Sequence, residues 1–177
     1  MQMLNRYFAP FALLLILSAI YFSTPDPENV RLTWQTYKAA FAILALSVLV
    51  NMWISKNTYH YIHWARQLKV LQVWLNYFWA IPLVYLLLPF WGPMWLLFVM
   101  APATAALYWR RWQTLATALV SSTTLLVIYH QRGAFEAGFA EGMAGMAYVH
   151  ALFIVVISLF IHGLAETALR LRDARVG

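Results

Sequence analysis

The sequence predicts an all-α integral membrane protein, a bundle of six transmembrane helices with both termini in the cytoplasm. Three observations carry this expectation. The 177 residues are 63% hydrophobic and only 10% charged, where soluble domains carry roughly a quarter charged residues. Apolar runs near membrane-crossing length recur along the chain, separated by short polar or proline-bearing segments. The basic residues fall mostly on alternate connections, the pattern that sets membrane orientation. Nine Trp, ten Tyr and eleven Phe suit a protein with many membrane–water boundaries, where amphipathic rings settle. The absence of Cys excludes disulfides, thiol catalysis, iron–sulfur clusters and cysteine-ligated zinc. The net charge of +6 reads as topology, and no nucleic-acid partner is expected.

The first span is Tyr7 to Phe22. It lies near the lower length limit for crossing, and Pro10 falls in its first turn, where a missing N–H costs little. It reads as a retained span, because the small-residue cleavage pattern of a signal peptide is poor and further spans follow. Two prolines and two acids in STPDPENVRLTW then stop the helix. The second span is Tyr37 to Ser55, with Asn51 as its polar residue and Lys38 placed to snorkel at its start. Lys56 to Lys69 is the most polar loop, and Asn57 or Thr58 could cap a short helix leading into the next span. The third span, Val70 to Leu88, contains Asn76 and Pro82. A turn over Pro89 to Pro93 leads to the fourth, Met94 to Trp109, which contains Pro102 and ends at Arg110 and Arg111. The fifth, Gln113 to Tyr129, holds the hydroxyl cluster Ser121 to Thr124. A glycine-containing loop, His130 to Met143, precedes the sixth, Ala144 to Ala165. The chain thus reads as a single membrane domain over 1–177, ending in a short cytoplasmic amphipathic tail at 166–177.

Charge supports this map. Arg6, Lys56, Arg66, Lys69, Arg110, Arg111, Arg170, Arg172 and Arg175 fall on one side, nine basic residues against three on the other (Arg31, Arg132 and the boundary Lys38). Asp26, Glu28, Glu136 and Glu141 lie on that other side. The basic side is the cytoplasmic one, which predicts a multi-pass protein of a bacterial inner membrane.

Few residues carry chemistry. His60 and His63, at i and i+3, would share a helix face, but a metal site needs a third and fourth ligand. No acid occurs between Glu28 and Glu136, so no metal is expected. His150 and His162 lie in or near the sixth span, where ionisable residues are functional candidates by default. Their spacing of twelve turns the rings about 120° apart, which does not suit two axial ligands of one haem. His130, at the outer end of the fifth span, could approach His150 and make one such pair. His162 and Glu166, at i and i+4, could share a proton or simply brace the helix end. Asn51, Asn76 and the cluster Ser121, Ser122, Thr123 and Thr124 are sparse polar positions whose plainer role is interhelical hydrogen bonding; of them Asn76, Ser121 and Thr124 are the candidates to line a ligand pocket beside the prolines of spans three and four. No hydrolase elbow, zinc-protease motif, phosphate loop or intramembrane carboxylate pair occurs, and no catalytic residue is expected. Transport gains little support, since coupled transporters bury ionisable groups at mid-membrane.

The run from Arg66 to Tyr129 has an Arg and Gln entering a span, an outer turn with Gly and Pro, a span with an internal Pro, a basic turn and an alanine–leucine span. It resembles the six-helix membrane sensor module of bacterial histidine kinases of the RegB and PilS kind. HGLAETALRLRDARVG, His162 to Gly177, is similar to the leader helix that follows the last span in those kinases. The resemblance implies a sensory module, with quinone as the ligand class known for part of the family. The sequence stops where a dimerisation helix and phosphorylated histidine would begin, so no kinase activity carries over, and the resemblance implies a stand-alone sensor-like module or a fragment of a longer sensor.

The expected function is therefore a non-enzymatic sensory or partner-binding module that relays through its last helix. In the tail, Leu164, Ala168 and Leu171 form one stripe, flanked by Glu166, Arg170 and Asp173. Such a face suits a helix of another membrane or cytoplasmic protein, or of a second copy in a homodimer. No cofactor is required. The alternatives are a haem- or quinone-binding electron-transfer subunit and a small permease or accessory transport subunit.

Overall fold

In a computed structural model the described residues are 10–15, 17–18, 34–57, 65–87, 92–135 and 143–174. Among them every regular element is helical and there is no strand. The chain forms two compact units, Met1–Leu97 and Phe98–Gly177.

In the first unit, helical residues 10–15 and 17–18 (α1) fall inside the predicted first span. Helix α2 (Trp34–Asn57) and helix α3 (Ala65–Leu87) pack against each other. The buried residues of α2 are Ala40, Leu44, Ser47, Asn51 and Ile54, spaced by three and four as one helix face must be. At its start, Lys38 Nζ stands 5.3 Å from the Trp34 ring centroid. That cation–π contact lets a lysine sit at a span end without leaving water. Asn57 closes α2, so it does not begin a short helix, and α3 starts five residues before the predicted Val70. Thr58, His60 and His63 lie outside the described residues. A 3₁₀ turn, Gly92–Leu96, leads into α4 (Leu97–Tyr108).

The second unit holds the rest of α4, α5 (Arg111–Gln131) and α6 (Met143–Asp173). Only Trp109 and Arg110 separate α4 from α5. Arg110 is extended, with φ −71° and ψ 157°. Its carbonyl accepts the N–H of Gln113 at 2.9 Å and of Thr114 at 3.1 Å. Gln113 reaches back, its Oε1 accepting the Arg110 N–H at 3.2 Å. A Gln three positions into a helix stabilises that start, and α5 begins two residues before the predicted Gln113. The other end of α5 closes on Gly133, whose φ of 78° lies in the left-handed region that favours glycine. Gly133 N–H bonds His130 O at 3.0 Å and Ala134 N–H bonds Tyr129 O at 3.1 Å, a Schellman closure.

Helix α6 runs unbroken through Gly163 for 31 residues, about 46 Å at 1.5 Å per residue. The hydrocarbon core of a bilayer is about 30 Å thick, so α6 is longer than a crossing needs. Among the described residues four helices are long and apolar enough to cross a membrane: Trp34–Ile54, Gln67–Leu87, Arg111–Gln131 and Ala144–Ala168. Pro93–Tyr108 is apolar but shorter. The fold is thus that of an all-helical membrane protein.

Candidate functional site

The polar contacts between helices cluster on α6. Its pairing with α5 is the most extensive among the described helices, and small residues contribute to it. Helix α5 buries Thr114, Thr117, Ala118, Ser121 and Ser122, and α6 buries Ala147, Ala151, Ile154 and Ser158. Small side chains let two backbones approach closely. The Ser122 hydroxyl accordingly donates to the main-chain carbonyl of Ala151 at 2.7 Å.

Toward the Gly133 end of α5, the Tyr129 hydroxyl and His150 Nδ1 form a hydrogen bond of 2.8 Å. Tyr129 is buried and His150 half-buried, their ring centroids 6.1 Å apart. A phenol and an imidazole so placed can move a proton between oxygen and nitrogen. Around them, His130 packs on Phe135 and Phe135 on Tyr148, with centroids 6.0 and 5.5 Å apart. The residue that meets His150 is therefore Tyr129. His130, one residue on and turned by about 100°, is exposed, which corrects the expected His130–His150 approach.

At the opposite end of α6, His162 Nδ1–H donates to the Ala106 carbonyl of α4 at 3.2 Å. Glu166 does not take His162 as its hydrogen-bonding partner; it accepts from Arg170 Nη2 at 2.6 Å, both side chains exposed. Arg111 lies near enough to act on Glu166 electrostatically. The Arg110–Arg111 turn and the exit of α6 thus share one end of this unit. His150 and His162 sit about 18 Å apart along the axis and meet different partners, an α5 side chain and an α4 backbone.

The remaining expected positions divide. Ser121 is fully buried, and its hydroxyl makes no hydrogen bond among the described residues. Thr124 donates to Val120 O of its own helix at 2.9 Å. Asn76 is buried in the first unit, 1% exposed, away from that list in the chain. Asn51 is buried there too, and neither its Oδ1 nor Trp79 Nε1 is hydrogen-bonded among the described residues. In the tail Leu164, Ala168, Arg170 and Leu171 are all exposed, Leu164 by 55% and Leu171 by 62%. Among the described residues no three His, Asp or Glu converge as metal ligands. Two α5 side chains, Ser122 and Tyr129, hold α6; Ser122 belongs to the hydroxyl cluster whose plainer role is interhelical hydrogen bonding, and sequence reasoning missed Tyr129. The signal was present in the spacing of seven between Ser122 and Tyr129, which places both on one face.

No family model, curated protein or solved structure matches this chain.

Proposed function

We propose that the protein is a six-span inner-membrane module, both termini cytoplasmic, that passes a signal from its bundle to a partner helix through α6. The signal is a ligand within the bundle or a change in the bilayer. The observation that carries this reading is the continuity of α6 from Met143 to Asp173. An unbroken helix transmits rotation or translation along its length, because each turn is hydrogen-bonded to the next. Inside the span, α6 is held at Ser122–Ala151, Tyr129–His150 and His162–Ala106. From the end of the span outward, Leu164, Ala168 and Leu171 offer an exposed apolar stripe of the kind that pairs with another helix. A displacement at these three interhelical contacts would reach that stripe. The resemblance to sensor modules of histidine kinases agrees with this use of a last helix. The shared end of the Arg110–Arg111 turn and the tail supports placing both on the cytoplasmic side.

The absence of native Cys makes the test clean. Single cysteines at Ala168 and Leu171, treated in native membranes with a bifunctional maleimide, should give one discrete adduct. L164E combined with either should abolish it. Labelled but uncrosslinked protein at both positions would sink the relay reading.

A further inference from the structure

We propose that the segment Trp109–Trp112, where α4 gives way to α5, is a binding surface for an anionic phospholipid headgroup. Arg110 and Arg111 are adjacent and exposed, and no carboxylate among the described residues salt-bridges either one. The carboxylate that acts on Arg111 is Glu166, and its ion pair is already made with Arg170 at 2.6 Å. Arg111 and Arg170 therefore act on the same carboxylate, and Arg110 lies next to Arg111 in the chain. Trp112, next to the pair, is 78% exposed, and Trp109 on the other side is half-buried. Indole rings beside cations mark the depth where headgroups meet acyl chains.

The chain geometry places the pair at that depth. The apolar helix Pro93–Tyr108 ends just before it, and the span Arg111–Gln131 begins within it. The turn is held by four bonds between Arg110 and Gln113 or Thr114, so the guanidinium groups start from a fixed backbone. A guanidinium fork matches two phosphate oxygens. A phosphodiester with no cation of its own, as in phosphatidylglycerol, leaves its full charge for the arginines. Phosphatidylcholine carries an ammonium that already neutralises it. The surface therefore discriminates by charge. This inference does not depend on the tail relay and can fail or stand without it.

The test uses the full chain in mild detergent with equal phosphatidylglycerol and phosphatidylcholine of matched acyl chains. Native mass spectrometry then counts the lipids retained. A basic residue near an anionic headgroup changes affinity by about fivefold. R110Q/R111Q should therefore lower phosphatidylglycerol retention roughly tenfold to thirtyfold, while R110K/R111K keeps most of it and R132Q at the other end of α5 keeps all of it. Helicity by circular dichroism confirms that each variant is folded. Equal retention of both lipids by the unchanged protein overturns the proposal, even if R110Q/R111Q fails to fold. So does a folded R110Q/R111Q that still prefers phosphatidylglycerol. Displacement of the lipid by millimolar inorganic phosphate would also overturn it, because the surface would then be a simple anion site.

Discussion

The two helix pairs of this protein solve the same packing problem with different side chains. In α2–α3 the buried faces set large aliphatic side chains, Leu44 and Ile54 on one helix and Val73, Leu83, Val84 and Leu87 on the other, among Ala40, Ser47, Asn51, Asn76 and Ala80. Ser47 there spends its hydroxyl on Leu44 O of its own helix at 2.8 Å. In α5–α6 the faces are richer in small and hydroxylic residues, with Leu125, Ile128 and Ile154 among them, and Ser122 and Tyr129 reach across to α6. In lipid the hydrophobic effect does not drive helices together, so van der Waals contact and interhelical hydrogen bonds must. One pair relies mainly on interlocking branched side chains, the other on close backbone approach.

This difference makes opposite substitutions harmful in the two pairs. The largest effect should come from truncating the aliphatic pair. Leu83 is fully buried, and L83A should cost about 2–4 kcal/mol, the lost contacts plus the cavity they leave. Reversible unfolding in mixed detergent micelles measures it. Enlargement should be what damages the small-residue pair. Ala118 and Ala147 are both fully buried, and A118L or A147L should cost about 1–3 kcal/mol by forcing the helices apart. The same change at the exposed Ala45 of α2 should be close to neutral. Tolerance of A147L would mean that α5 and α6 do not pack closely there.

The cross-helix hydrogen bonds come next in size. S122A and Y129F should each cost about 0.6 kcal/mol, the average for such bonds in a membrane. S47A, which removes a bond within one helix, should cost less than either. A double-mutant cycle of Y129F with H150F should show coupling, and an additive result would remove the Tyr129–His150 bond from the account.

Helix content and the positions of the second, third, fifth and sixth spans were legible in the sequence, because hydropathy is a property of a window and survives small errors of boundary. Helix rotation was not. Within the hydroxyl run Ser121 to Thr124, neighbouring residues differ by about 100°, and nothing in composition says which one meets α6. The structure selects Ser122, leaves Ser121 buried and turns Thr124 back on its own helix. The same rotation puts Tyr129 against His150 and His130 outside. The tail was more legible, since spacing of three and four defines a stripe without any partner being known, and Leu164, Ala168 and Leu171 are indeed exposed.

The smallest stability effect belongs to the charged end of α6, and it sharpens the contrast between buried and exposed polar groups. Glu166 and Arg170 lie 2.6 Å apart but are exposed, 52% and 78% for the two side chains. Water screens such a pair and competes for both partners. E166Q should therefore leave the unfolding midpoint unchanged, unlike S122A, although its bond is the shorter of the two. Its effect should appear in the lipid measurement instead. Glu166 is the carboxylate that opposes Arg111 and Arg170, so neutralising it leaves the end more basic and raises the preference for phosphatidylglycerol. A lowered unfolding midpoint would mean that the pair anchors the helix end. An unchanged lipid preference would mean that Arg111 does not share its field with the tail.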